Sequence, residues 1–121
     1  FGKRKADLLK EEKERCLINS VIICLFSRRA YDRPTIIAAG RAVGLDLDDE
    51  VLTQIGQKIF QTKMRIRDKL NFDLKQVQIP KRFFETPGLH GMLEEKTAHE
   101  IIDIYAALVA AEMKEAGNAI Q

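Results

Sequence analysis

The sequence has 121 residues, enough for one domain with its own hydrophobic core and fewer than a second core requires. With 45% hydrophobic and 31% charged residues, its composition is that of a globular chain and excludes a disordered one. The 20 basic and 18 acidic side chains give a formal net charge of +2, which excludes a strong electrostatic field for nucleic acid. We therefore expect residues 1–121 to form a single domain.

The longest apolar run predicts neither a membrane span nor a secretory signal. It is about half the length of the roughly 20 residues that a spanning helix needs, and arginines border it. If Cys16 and Cys24 share one helix, they lie about 12 Å apart, beyond disulfide reach, which indicates a reducing, cytoplasmic compartment. Because the chain opens on Phe1 without Met, we expect a piece of a longer protein from which upstream domains are missing.

A charged first helix over residues 3–15 is predicted to lead into the most apolar run of the chain, residues 16–29. A helix built on this run is apolar on nearly all sides, so we expect residues 21–26 to lie at the centre of the core. Asn19 and Ser20 interrupt the run and can each cap a new helix or hydrogen-bond within an old one. Propensity therefore leaves open whether the first helix continues or breaks near Asn19.

Two further helices are predicted from local signals. Pro34 suits the first turn of a short second helix, and Gly44 tolerates the positive φ that ends one. Asp48 is the expected N-cap of the longest helix. The apolar stripe of that helix is predicted to consist of Leu52, Ile55, Ile59, Ile66 and Leu70. Gly56 costs about 1 kcal/mol relative to alanine inside a helix, which indicates that another backbone approaches closely there.

The last third of the chain contains a connector and one more helix. Pro80 predicts a short helical turn that presses Phe83 or Phe84 inward. A capping box beginning at Thr97 predicts that the final helix starts there, and that helix is expected to end near Gly117. No segment shows a convincing strand period. The predicted fold class is all-α, an irregular bundle of about five helices.

The common enzyme motifs are missing from the sequence. It has no glycine-rich phosphate loop, no C-x-x-C, no H-E-x-x-H and no nucleophile elbow. His90 is expected to be a loop residue, and His99 to lie in solvent beside Glu95 or Glu100. Each cysteine is either a small buried hydrophobic residue or a soft metal ligand. We therefore expect no complete active site within this chain.

Four short motifs follow one another in a recognisable order. Residues 19–26, Asn-Ser-Val-Ile-Ile-Cys-Leu-Phe, resemble D-x-x-G-L-C followed by an aromatic residue. Residues 55–59 resemble I-G-E-R-I, residues 67–72 resemble R-E-G-F, and residues 79–83 resemble L-P-x-R-F. With these motifs, residues 7–111 resemble the C-terminal helical domain of the tungsten-containing aldehyde ferredoxin oxidoreductases.

The resemblance implies roles for particular residues. Cys24 matches the fourth thiolate of a 4Fe–4S cluster whose other three ligands lie upstream. Asn19 stands where the family has an aspartate that helps to hold a tungsten bis-pterin cofactor, and Ile22 stands where it has a glycine. Because a cluster needs four thiolates and the chain has two cysteines, the remaining ligands must come from upstream domains or a separate subunit.

The same resemblance implies an activity for the whole enzyme. It oxidises an aldehyde to a carboxylic acid and passes the electrons to ferredoxin, whereas the isolated chain is expected to bind no cofactor and to be inactive.

A free-standing helical interaction or nucleic-acid-binding module is the alternative hypothesis. The basic side chains it would use are Arg65, Arg67, Lys69, Lys81 and Arg82. The near balance of acidic and basic residues argues against this hypothesis, so we expect no nucleic-acid partner.

Overall fold

The computed structural model describes residues 3–88 and 91–118, and within them it confirms the predicted all-α fold. The five α-helices are α1 (Lys3–Ser20), α2 (Arg33–Ala42), α3 (Asp49–Lys69), α4 (Arg82–Glu85) and α5 (Glu95–Asn118). Single 3-10 turns lie at Leu25–Ser27 and Leu74–Gln76. These residues contain no strand beyond an isolated bridge between Gly88 and Gly91. None of the described helices is both long and apolar enough to cross a membrane.

The chain forms two compact units. Residues 10–65 make up one, called the 10–65 unit below, and the described residues before 10 and after 65 make up the other. In the 10–65 unit the fully buried side chains are Leu17, Leu52 and Phe60. In the other unit α5 packs against the 3-10 turn at Leu74–Gln76, and Val109 of α5 is fully buried.

Gly56 lies where α1 and α3 of the 10–65 unit touch. A Cβ atom at this position would lie 2.9 Å from the carbonyl oxygen of Lys13 and 3.5 Å from Cβ of Leu17. Cβ atoms essentially never lie so close to a backbone oxygen, so only glycine fits here without a shift. The predicted close approach of a second backbone is confirmed.

The buried side of α3 differs from the predicted stripe. Its buried residues are Leu52, Gly56, Phe60 and Met64, each four positions after the last. Of the predicted stripe, Ile66 is 54% and Leu70 is 73% exposed, so that prediction was wrong for the second half of the helix. A row of residues spaced by four forms a ridge on a helix, and Gly56 lets α1 pack along this ridge.

Residues 21–26 are not at the centre of the core, so that prediction was wrong. Helix α1 ends at Ser20, and Ile22 and Phe26 are 92% and 95% exposed. The helix therefore breaks just after Asn19, the second of the two alternatives. The turn that follows α1 carries the apolar run away from the helix and onto the surface.

Three described helices end in the same kind of cap, a Schellman motif. After α1, α2 and α3 respectively, Ile22, Gly44 and Asn71 have positive φ values of 60°, 85° and 54°. In each case the amide of the next residue donates to the carbonyl five positions earlier, over 3.0–3.1 Å. The predicted role of Gly44 is confirmed. Glycine and asparagine take this conformation readily, whereas the β-branched Ile22 does not.

The predicted caps at the helix starts had mixed outcomes. Asp48 caps α3 as predicted, because its Oδ1 accepts from the amide of Val51 at 2.7 Å. Helix α5 begins at Glu95, so the predicted start at Thr97 was wrong. The amide of Ala98 already donates to the carbonyl of Glu94 at 3.1 Å, which places Thr97 inside the first turn.

The remaining predictions concern short segments and the histidines. Helix α4 follows Pro80 as predicted, and Phe84 is half-buried whereas Phe83 is 53% exposed. Nε2 of His99 lies 3.8 Å from a carboxylate oxygen of Glu95, in an exposed setting, which confirms that prediction. His90 lies outside the described residues.

Candidate functional site

The candidate site is the segment between α1 and α2, and Arg33 fixes both of its ends. Nε of Arg33 donates to Oε2 of Glu14 in α1 at 3.3 Å, and its Nη2 donates to the other oxygen of the same carboxylate. Nη1 donates to Oδ1 of Asp49 at 2.9 Å and to Oγ1 of Thr53 at 3.0 Å, both in α3. One guanidinium thus ties together α1, α2 and α3.

The side chain of Arg33 is three-quarters buried, with 25% of its surface exposed. The hydrogen bond to Glu14 is the main cause that raises the pKa of Arg33, and burial opposes it. No sequence pattern indicated this cluster, because the partners of Arg33 lie 16 to 20 positions away from it and no spacing rule connects them.

The turn that carries the candidate cofactor residues follows directly from the end of α1. Asn19 is exposed, and its carbonyl oxygen accepts from the amide of Ile22 at 3.1 Å. The amide of Ile23 donates to the carbonyl of Ile18 at 3.1 Å and closes the turn. Cys24 comes next, and its carbonyl accepts from the amide of Ser27 at 2.9 Å, which begins the 3-10 turn.

The conformation of Ile22 bears on how the sequence aligns with the D-x-x-G-L-C pattern. Ile22 occupies the position of the glycine in that pattern, and its φ is +60°. Glycine adopts such a φ without steric cost, whereas an L-residue with a side chain pays about 1–2 kcal/mol. The turn therefore has the backbone conformation that the pattern's glycine favours, which supports the alignment that pairs Asn19 with the aspartate and Cys24 with the cysteine.

The two cysteines lie in different environments. Cys16 is inside α1, is 8% exposed and has a pKa raised chiefly by burial, which disfavours the thiolate. Cys24 is exposed and forms no disulfide. A metal binds the thiolate form, which burial disfavours at Cys16, so the exposed Cys24 is the better candidate for a metal ligand and Cys16 is the better candidate for a packing role.

Large apolar side chains surround Cys24 in the chain. We call Val21, Ile22, Cys24 and Phe26 the Cys24 segment; Val21 is 40% exposed, and Ile22 and Phe26 are almost fully exposed. Exposed large apolar side chains that follow one another in this way are typical of a surface that packs against another protein surface.

The donor set tests which cofactors this chain could hold. Over residues 3–88 and 91–118 there is no group of three or more His, Cys, Asp or Glu side chains placed to bind a metal. Cys24 fits a single position of an iron–sulfur cluster. Asn19 can donate and accept hydrogen bonds to a pterin, but its amide brings no charge.

The basic residues of the alternative hypothesis lie in two segments. Arg65, Arg67 and Lys69 belong to the last two turns of α3, and Lys81 and Arg82 lie at the start of α4. The side chain of Arg67 is 19% exposed and pairs with Asp68 at 3.0 Å. Lys81 and Arg82 are exposed, and the guanidinium of Arg82 lies 5.8 Å from the ring centroid of Phe83.

Comparison with known proteins identifies one family. The family model described as aldehyde ferredoxin oxidoreductase, domains 2 and 3, matches residues 1–109. The matched span contains the whole 10–65 unit, including Asn19 and Cys24. No curated protein and no solved structure matched the chain.

Proposed function

The chain belongs to the aldehyde ferredoxin oxidoreductase family, and we propose that it works as part of an enzyme that oxidises an aldehyde to a carboxylic acid. In the balanced reaction, an aldehyde and water give a carboxylic acid, two protons and two electrons, and the electrons pass to ferredoxin. When bound, a tungsten bis-pterin would supply the oxidation chemistry and a 4Fe–4S cluster would supply the path for the electrons. We place the enzyme in the cytoplasm, where thiols stay reduced.

Within this enzyme, Cys24 contributes one thiolate to the cluster. The observation that carries the proposal is an exposed cysteine two residues after Ile22, which has a positive φ and stands where the family pattern has a glycine. Upstream domains or a separate subunit supply the other three thiolates. Asn19 hydrogen-bonds the pterin from the end of α1, and the apolar members of the Cys24 segment pack against those other domains and keep water from the cluster.

The test replaces Cys24 by serine in the full-length enzyme. Cys24→Ser keeps the side-chain volume nearly unchanged but exchanges a soft ligand for a hard one. We expect loss of iron–sulfur absorbance and of ferredoxin reduction, with a normal helical circular dichroism spectrum. The chain expressed alone is expected to be colourless and inactive, because its cysteines are too few to assemble a cluster.

Cys16→Ser is the matched control. It buries a hydroxyl in place of a thiol, so it should lower stability while leaving cluster absorbance intact. If Cys24→Ser retains the full absorbance and Cys16→Ser loses it, the alignment of residues 19–24 with the family motif is wrong.

A further inference from the structure

A cleft in the 10–65 unit has no role in the function proposed above. It lies between α1, the 3-10 turn at Leu25–Ser27 and the start of α2, and its volume is about 360 Å³. Clefts that take small molecules have volumes of about 300–1,000 Å³, so this one has room for a small ligand. Ile18, Leu25 and Ile36 are half-buried and give it an apolar wall, and Tyr31 also lines it.

The carboxylates that line the cleft already have partners. Glu11 accepts from Arg15 at 3.2 Å, and Glu14 accepts two hydrogen bonds from Arg33. Asp32 caps α2 by accepting from a backbone amide of its first turn at 3.0 Å. Each carboxylate of the lining thus has a hydrogen-bond partner within the fold, and those of Glu11 and Glu14 are also paired with arginines.

Two positive charges of the lining are not matched. Arg28 and Arg29 both line the cleft and are exposed, and neither has a hydrogen bond or an ion pair with any described side chain. A guanidinium presents planar N–H donors that match a carboxylate with two parallel hydrogen bonds. Beside an apolar wall, this arrangement selects a ligand with one anionic end and one apolar end.

We propose that this cleft binds a small organic carboxylate. The carboxylate accepts hydrogen bonds from Arg28 and Arg29, and the apolar body of the ligand packs against Ile18, Leu25 and Ile36. The proposal uses neither Asn19 nor Cys24, so it stands or fails independently of the proposed enzyme activity.

The test is a titration of the 121-residue chain, labelled with ¹⁵N, followed by amide chemical shifts. Hexanoate and benzoate are the probes, and hexanol, hexylammonium and inorganic phosphate are the comparison compounds. For ligands of this size we expect a dissociation constant on the order of 1 mM and shift changes concentrated in residues 18–36. The comparison compounds should bind at least about tenfold more weakly, because each lacks either the carboxylate or the apolar body.

Charge-removing variants identify the anion-binding residues. The double variant Arg28→Gln with Arg29→Gln should weaken hexanoate binding at least about tenfold, and added salt should weaken binding to the unaltered chain. Arg65→Gln is the matched control, since Arg65 is exposed in the same unit and does not line the cleft. The affinity of this variant for hexanoate should stay within about twofold of that of the unaltered chain.

The stability of the folded chain should be the same in all of these variants, because the altered side chains are exposed. Unchanged affinity in the double variant, or binding of hexanol and hexylammonium as tight as that of hexanoate, would overturn the proposal. Shift changes confined to residues outside the cleft would overturn it as well.

Discussion

Replacing Ile22 by glycine should stabilise the isolated chain, although it removes a large apolar side chain. The side chain is 92% exposed, so its loss removes almost no packing. Its φ of +60° costs an L-residue about 1–2 kcal/mol, a cost that glycine does not bear. Glycine in turn loses about 0.5–1 kcal/mol more conformational entropy on folding. The balance predicts a gain of about 1 kcal/mol.

Urea unfolding of the chain, followed by circular dichroism, measures this gain. In a thermal melt of the same chain, a gain of 1 kcal/mol corresponds to a rise of about 4 °C in Tm for a protein of this size. Ile22→Asn is a second useful variant, because asparagine tolerates positive φ without the entropy cost of glycine, and it should also stabilise. The amide of residue 22 still donates to the carbonyl of Asn19 in both variants, so the turn itself is kept.

Ile66→Gly is the matched control. Ile66 is 54% exposed but lies inside α3, where φ is helical and glycine is unfavourable. This variant should therefore lose about 1 kcal/mol. If Ile22→Gly destabilises the chain as much as Ile66→Gly does, residue 22 does not have positive φ in solution, and the support for the motif alignment is withdrawn.

Two further variants test the packing of the 10–65 unit by the same urea assay. Gly56→Ala should cost about 1–3 kcal/mol, because the added methyl group meets the carbonyl of Lys13. The control Gly117→Ala should be neutral or stabilising, because its methyl group meets nothing within 4 Å. Equal effects of the two variants would show that α1 and α3 are not in close contact. Arg33→Lys should cost about 2 kcal/mol, since a single ammonium cannot replace the forked bonds to α1 and α3. Arg15→Lys is the control for Arg33→Lys; it alters an exposed ion pair within α1 and should change stability by less than about 0.5 kcal/mol. A similar loss of stability in both variants would show that Arg33 does not hold the three helices together.

The proposed role of Cys24 is a prediction that the serine variants test, and the proposed role of Asn19 is a prediction that follows from the same alignment. The exposure of Cys24 and the positive φ of Ile22 support these roles, and so does the match to the family model.

The sequence by itself determined the features that depend on the chemistry of a few neighbouring residues. Asp48 caps α3 because its carboxylate reaches an amide three positions on, and Gly44 ends α2 because it tolerates positive φ. Gly56 indicated a close backbone contact because a glycine inside a helix is otherwise unfavourable. The order of the four motifs likewise identified the family, which the family model confirmed.

Only the tertiary structure decided which apolar residues are buried. Hydropathy placed residues 21–26 in the core, but the Schellman turn at the end of α1 carries Ile22 and Phe26 to the surface. The buried row of α3 depends on the side from which α1 approaches, and the Arg33 cluster joins residues from three helices. Burial and such clusters are properties of the path of the whole chain, so no local pattern of residues could specify them.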